Sequence, residues 1–225
     1  MRFKDLHPWD VSIERAIELQ ESLREKIKLK PYLKRPTLIA GADAYFREEC
    51  IFAAVVVVRY PEEKIVEKAI KIKPINFPYI PGLFSFREGP VLLECFRDLN
   101  TVPQIVIFDG QGIAHPRRMG LATHLGIILD LPTIGCAKSY LYGYFKFPQK
   151  RRSSYSYLYD ENKNKLGVVL TTKDKTRPLF VSPGHKMDIL TAKRIILMCT
   201  AKFRIPQPLR LAHQEAVSKS KESVL

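Results

Sequence analysis

The stretch from Gln104 to Arg118 constrains the fold more than any other, because four apolar residues, Ile105 to Phe108, deliver Asp109 straight into a loop containing Gly110 and Gly112. So short an apolar run is a buried strand rather than a free-standing helix. Asp109 then stands at the strand's carboxyl end, where open α/β sheets place their ligand sites. The glycines permit a tight turn and close approach of a substrate, and Arg117 and Arg118 add positive charge just beyond, so an anion is the natural guest. Taken alone, Asp109-Gly110 is equally readable as a turn with a polar tip.

The segments on either side supply a sheet for this strand to join. Apolar Ile13, Ala16, Ile17, Leu23 and Ile27 recur at helical spacing and predict an amphipathic helix from Ser12 to about Lys28, with Trp9 as a packing anchor before it. Three strands follow, Thr37 to Phe46, Ile51 to Tyr60 and Lys64 to Lys73, whose short polar turns suit an antiparallel meander. Ala53 to Val58 is apolar on both faces and reads as central, whereas Lys68, Lys71 and Lys73 suit an edge strand protected by charge. Asp43 is the anomaly: a carboxylate inside a strand that otherwise wants burial needs a partner or a metal.

Next comes Pro78-Tyr79-Ile80-Pro81, stiffened by its prolines. Its aromatic tip could wedge into a base stack or pack on its own domain. The helix that follows, through Val91, Leu92, Cys95, Phe96 and Leu99, starts either at Ser85, through a capping box closed by Glu88, or nearer Pro90. Glu88 accordingly holds a backbone N–H or projects toward the sheet edge as a metal ligand. Beyond the anchor strand, a helix over Met119 to Asp130 and a strand over Pro132 to Ala137 imply parallel neighbours joined by a right-handed crossover, so Lys138 emerges beside Asp109.

The rest of the chain mixes charge with aromatic rings. Lys146 to Ser156 is basic and interleaved with Tyr142, Tyr144, Phe145, Tyr155 and Tyr157, a mixture that suits single-stranded or distorted nucleic acid, with an ordinary hairpin as the competing reading. Strands at Leu166 to Thr172 and Leu179 to Ser182, and helices over Asp188 to Cys199 and Gln207 to Val217, complete the expected elements. The last helix carries His213, and a basic mobile tail is expected from about Ser218.

Composition bounds the function. The chain has 225 residues, 46% of them hydrophobic, enough for one α/β domain, and its formal net charge of +14 favours a polyanionic partner such as nucleic acid. The four cysteines lack any C-x-x-C spacing and read as buried thiols in a reducing compartment. With no apolar run of membrane-spanning length and no secretory signal at the start, the expectation is a soluble cytoplasmic monomer that does not engage a membrane.

Three antiparallel strands, a helix and two parallel βα steps together give an RNase H-like mixed sheet flanked by helices, in which the first and fourth strands are neighbours. On that topology Asp43 and Asp109 converge and Glu88 can reach them from the intervening helix. Three carboxylates at one point repel unless divalent metal neutralises them, and oxygen-only ligands favour Mg²⁺, with Mn²⁺ as a substitute. Such a site can activate water for an in-line phosphoryl displacement, the chemistry of a nuclease.

The motifs also carry a family resemblance. Phe77-Pro-Tyr-Ile-Pro-Gly-Leu83, Phe86-Arg-Glu-Gly-Pro90, Phe108-Asp-Gly-Gln-Gly-Ile-Ala-His-Pro-Arg117, Pro132-Thr-Ile-Gly-Cys-Ala-Lys-Ser139, Val181-Ser-Pro-Gly-His185 and Arg210-Leu-Ala-His213 closely resemble endonuclease V, over nearly the whole chain. The resemblance implies Asp43, Glu88 and Asp109 as metal-binding catalytic acids, His213 beside the metal or the attacking water, and Lys138 as the phosphate-stabilising lysine. It makes Pro78, Tyr79, Ile80 and Pro81 a wedge beside the lesion and assigns His115 to substrate contacts or to supporting them. A pocket for a flipped hypoxanthine maps onto Gly82, Leu83, Gly110, Gly120 and Leu121, where edge hydrogen bonds can select a deaminated base.

What the resemblance implies is Mg²⁺-dependent DNA repair: incision one nucleotide 3′ of deoxyinosine, leaving 3′-hydroxyl and 5′-phosphate ends. Family members that act mainly on inosine in RNA keep an inosine-specific ribonuclease open. A non-cleaving nucleic-acid-binding module would keep the charge and the wedge but need no carboxylate cluster. The roles of His124 and His185 stay open between function and structure.

Overall fold

The computed structural model describes residues 1–222. Its frame is one eight-stranded sheet. Strands β1 (Leu38–Arg47), β2 (Cys50–Arg59) and β3 (Lys64–Pro74) form the antiparallel meander, and β4 (Ile105–Phe108) lies parallel to β1, as the order of elements predicts. The sheet continues through β5 (Thr133–Ala137), β6 (Tyr155–Tyr159), β7 (Lys165–Leu170) and β8 (Leu179–Pro183) in the spatial order β3-β2-β1-β4-β5-β8-β7-β6. The meander and the hairpin strands therefore occupy the two ends, and the parallel trio β1, β4 and β5 the middle.

Alternation along the central strands divides the core into two layers. Ile39, Val56, Val58, Ile105 and Ile107 face helices α4 (Ile189–Cys199) and α5 (Gln207–Glu222), whereas Ala40, Ala42, Val55, Val57, Val106 and Phe108 face α2 (Phe84–Asp98) and α3 (Leu121–Leu129). Each large side chain buried in this way contributes about 1.5–3 kcal/mol. At Gly41 the layers set a geometric requirement: a Cβ there would stand 2.1 Å from the Pro208 carbonyl carbon. Helix α5 thus rests directly on the backbone of β1, and this contact brings His213 over Asp43.

Several local expectations change. The first helix, α1 (Ile13–Leu23), is capped by Ser12 and ends before Lys28 through a short 3-10 turn at Arg24–Lys26. Helix α2 begins at Phe84 with Pro90 inside it, so Ser85 is its second residue rather than its cap; no side chain caps the start, and the Ser85 hydroxyl donates to His124 Nδ1 (2.9 Å). Pro90 removes the N–H that would otherwise meet the Phe86 carbonyl. The mobile tail expected from Ser218 is, as far as Glu222, the last turns of α5: Ser220 is buried and its carbonyl accepts from Arg47 (2.9 Å). The remaining tail residues lie outside the described residues. Among the described residues no helix is long and apolar enough to cross a membrane.

Candidate active site

Asp43 and Asp109 come together through strand register. Ala42 pairs with Phe108 in the parallel ladder, and the Asp109 N–H donates to the Ala42 carbonyl (3.1 Å), so the next residue on each strand is a neighbouring aspartate at the same sheet edge. Asp43 lies two residues beyond Gly41 and Asp109 two beyond Ile107, which places both on the α5 face. His213 on α5 meets Asp43 there, Nδ1 to Oδ2 at 2.8 Å, while the other Asp43 oxygen accepts the Ala44 N–H (2.9 Å). Lys138, one residue past β5, donates to Asp109 Oδ2.

Glu88 arrives from the opposite layer. Helix α2 carries it onto the wall of the cavity that Asp43 and Asp109 also line. Among the described residues its carboxylate has neither a hydrogen-bond nor an ion-pair partner. Burial, followed by the charges of Asp43 and Asp109, pushes its carboxyl well above the usual carboxylate range. Burial and Asp43 also raise Asp109 against the pull of Lys138. The hydrogen bond to Asp43 raises His213, and for Lys138 the cost of burial is outweighed by Asp109, leaving the ammonium favoured.

Among the described residues no group of three or more His, Cys, Asp or Glu side chains is arranged to hold a metal ion as it stands. Asp43 and Asp109 direct oxygens to His213 and Lys138 instead. The donor chemistry still suits a hard divalent cation: it is all carboxylate, and Glu88 carries a raised proton affinity caused in part by the other two acids. A positive charge among them relieves that repulsion.

The cavity beside the acids has a volume of about 470 Å³, within the range of small-ligand sites. Of the residues expected to receive a base, Gly82, Gly110, Gly120 and Leu121 line it, as do Tyr79, Pro81 and His115; Pro78, Ile80 and Leu83 do not. The Leu83 side chain is fully buried beside Phe77 and Phe86, and its N–H is already bonded to the Ile80 carbonyl. Tyr79 is 67% exposed, held by Phe84 (ring centroids 5.0 Å apart) and by Arg87, so the proline-flanked tip protrudes at the cavity mouth. Met119, Tyr140 and Leu141 add to walls that the motifs alone did not indicate.

Behind the tip lies a hydrogen-bonded node that the sequence reading missed. Gly82 adopts φ +86°, and its carbonyl accepts from Gln20 Nε2 (2.9 Å), His115 Nε2 (2.8 Å) and Arg117 Nη2 (3.2 Å). Gln20 closes the node by accepting from Arg117 Nε (2.7 Å) and donating to the Met119 carbonyl (3.2 Å). The signal was present, since Gln20 sits one helical turn from Ala16 and Leu23 on the buried stripe of α1. His115 is thus a neutral donor at the base of the tip, its pKa lowered to about 4 chiefly by burial. His124 is buried behind α2, and His185 lies beside Thr133 at the far end of β5, so neither borders the cavity.

Known proteins resemble this chain over most of its length. Residues 21–214 match the sequence model of the family Endonuclease V. A protein named Endonuclease V from Dictyoglomus thermophilum is 45% identical over 200 residues, 89% of this chain and 87% of that protein. The crystal structure of endonuclease V from Streptomyces avermitilis superposes with a TM-score of 0.90 at 34% identity, covering 96% of each chain. Ciona intestinalis endonuclease V, solved in complex with a 24mer DNA containing an inosine followed by a ribo-adenosine, matches with a TM-score of 0.82 at 27% identity, over 93% of this chain and 98% of that one.

Proposed function

Because the chain belongs to the endonuclease V family and is therefore a nuclease with that family's RNase H-like sheet, we propose that it is a divalent-metal-dependent repair endonuclease that recognises deoxyinosine in DNA. In this reading the strand is cut one nucleotide 3′ of the lesion. The observation that carries it is the meeting of Asp43 and Asp109 on adjacent parallel strands, with the carboxylate of Glu88, unpartnered among the described residues, on the wall of the same cavity. The single continuous sheet supports one endonuclease domain.

Each residue's chemistry follows from its surroundings. Asp43, Glu88 and Asp109 would hold Mg²⁺ or Mn²⁺, which supplies Lewis-acid polarisation of the phosphate and a more acidic water. Lys138, positioned by Asp109, offers an ammonium to the non-bridging oxygens of the scissile phosphate. His213 is oriented by Asp43 through Nδ1, leaving Nε2 able to exchange a proton with water. Water oxygen bonds to phosphorus, the bond from phosphorus to the 3′ oxygen breaks, and that oxygen takes a proton, leaving 3′-hydroxyl and 5′-phosphate ends. Tyr79 and its flanking prolines fill the gap beside an everted base, while the glycine-lined wall at Gly82, Gly110 and Gly120 lets backbone groups approach the base edge.

The test is cleavage of matched oligonucleotides carrying deoxyinosine in DNA, inosine in RNA, or neither, with Mg²⁺ present or chelated, and with product ends mapped at nucleotide resolution. Mg²⁺-dependent incision confined to the deoxyinosine strand is the expected result. Cleavage of RNA alone reassigns the substrate, and metal-independent cleavage overturns the role of the acids.

A further inference from the structure

The two edges of the sheet are charged in different ways. At the β3 edge three of the four lysines are neutralised: Lys68 pairs with Glu215 (2.8 Å), Lys71 with Asp98 (2.7 Å) and Lys73 with Glu94 (2.8 Å). These pairs bind the edge to α2 and α5 and make it a protected surface. At the opposite end, by β6, Lys146, Lys150 and Arg151 form no ion pair among the described residues, and the aromatic side chains flanking Lys146 are bare, Tyr144 at 64% and Phe147 at 76% exposure. Exposed aromatic rings beside unneutralised cations are not edge protection.

That edge is also shaped. Tyr144 exchanges backbone hydrogen bonds with Tyr159 (2.7 and 2.9 Å), and the Ser156 hydroxyl holds the Lys146 carbonyl, so the segment from Tyr144 to Phe147 is fixed alongside β6. Between them lies a cleft of about 420 Å³ walled by Tyr144, Phe145, Lys146, Tyr157 and Tyr159. Lys165 sits 4.1 Å above the Tyr157 ring. The cleft lies one ring pair away from the candidate active site: Phe145 lines it and packs against Tyr140 (centroids 5.7 Å apart), and Tyr140 lines the cavity of the acids.

We propose that this cleft, together with the bare Phe147 ring that packs on Phe145 beside it (centroids 5.0 Å apart), is an accessory binding site for unpaired nucleotides of the substrate strand, with Tyr144 and Phe147 stacking on bases and Lys146 meeting the backbone. Stacking on aromatic faces tolerates any base and a lysine reads only phosphate, so the site adds affinity without adding sequence preference. It rests on the nuclease reading for the identity of the strand, and it narrows the substrate to one whose flank beside the lesion is single-stranded or opened. Arg152 takes no part, because its guanidinium is tied to the carbonyls of Thr172, Leu197 and Thr200.

The experiment measures binding of a fluorescent polythymidine strand, which contains no inosine, and binding and cleavage of inosine oligonucleotides with short or long single-stranded flanks. Tyr144→Ala combined with Phe147→Ala is expected to weaken polythymidine binding on the order of tenfold or more and to remove the affinity gained from a long flank. Cleavage of the short inosine oligonucleotide and the unfolding midpoint should stay at wild-type values. Tyr144→Phe should restore most of the Tyr144 contribution, and Lys146→Ala should reduce the salt slope of binding by about 0.7. Polythymidine binding that is absent in the wild type, or unchanged in the double variant, overturns the proposal, as does a loss seen only with duplex flanks. A chain that binds polythymidine through these residues yet cuts no inosine substrate would instead remove the nuclease reading and leave the cleft standing.

Discussion

The acid cluster and the histidine chain behind it lie one turn apart on α2, at Glu88 and Ser85, and they settle their polar groups in opposite ways. In the chain, His7 donates from Nδ1 to the Pro8 carbonyl (2.7 Å), which leaves its Nε2 to accept from His124 Nε2 (2.7 Å). His124 Nδ1 then accepts from the Ser85 hydroxyl (2.9 Å), and Trp9 and Phe86 enclose the rings. Every ring nitrogen has one partner and both imidazoles are neutral. In the acid cluster, by contrast, Glu88 has no hydrogen-bond or ion-pair partner among the described residues, and the charges of Asp43 and Asp109 beside it outweigh that of Arg87. A satisfied buried network holds the fold, whereas an unsatisfied one facing a cavity holds a place for something else.

The largest effect should come from removing an acid at the point where β1 and β4 meet. Asp43→Ala or Asp109→Ala is expected to lower single-turnover cleavage by about three orders of magnitude or more, with inosine-strand binding changed only a few-fold in a gel-shift assay. Retained cleavage by both variants would take these residues out of the mechanism. Glu88→Gln sharpens the contrast, because it too should abolish cleavage while raising the melting temperature. Burial and two neighbouring carboxylates lift this acid above its unfolded pKa, so it opposes folding at neutral pH, and the neutral amide relieves that cost. The gain read by calorimetry is about 2–4 °C for each kcal/mol relieved.

His124→Ala should do the reverse. Losing the buried ring and leaving Ser85 and His7 without it is expected to cost about 2–4 kcal/mol in a denaturant titration. The folded fraction should keep its catalytic rate. The same residue sets a pH dependence of stability: burial, with His7 and His115 nearby, lowers its pKa from 6.5 to about 3. Between those values the unfolded chain binds more protons than the folded one, so stability is full above pH about 6.5 and declines as pH falls toward 3. His124→Asn should flatten that decline in a series of melts, and an unchanged slope would move its origin to other groups.

These two regions were not equally legible in the sequence. Asp43 stood out as a carboxylate in an apolar strand, and Asp109 as the acid that ends another; strand order then made them neighbours without further information. Glu88 was ambiguous on spacing alone, since Ser85 and Glu88 also fit a capping box, and only the helix start at Phe84, with Ser85 bonded to His124, decides between the readings. The histidine chain was illegible because its members come from three distant segments. The end of α5 was misjudged for a different reason: its buried stripe, Ala212, Ala216 and Ser220, is built from small residues that carry little hydrophobic signal.

Gln20 offers the smallest test and the one that joins the two regions, because its network is satisfied like that of the histidines yet forms the back of the cavity mouth. Gln20→Leu removes a donor to the Gly82 carbonyl and leaves Arg117 Nε without its acceptor, at an expected cost of about 1–3 kcal/mol. If the node only supports the fold, the folded variant should bind and cut inosine strands as the wild type does. If it positions the tip carrying Tyr79, KM for the inosine strand should rise several-fold at constant kcat, and a substrate whose base is already unstacked should be spared. Gln20→Glu keeps the acceptor for Arg117 but not the donors to Gly82 and Met119. It should therefore recover stability without recovering KM if the bond to Gly82 is the one that orients the tip.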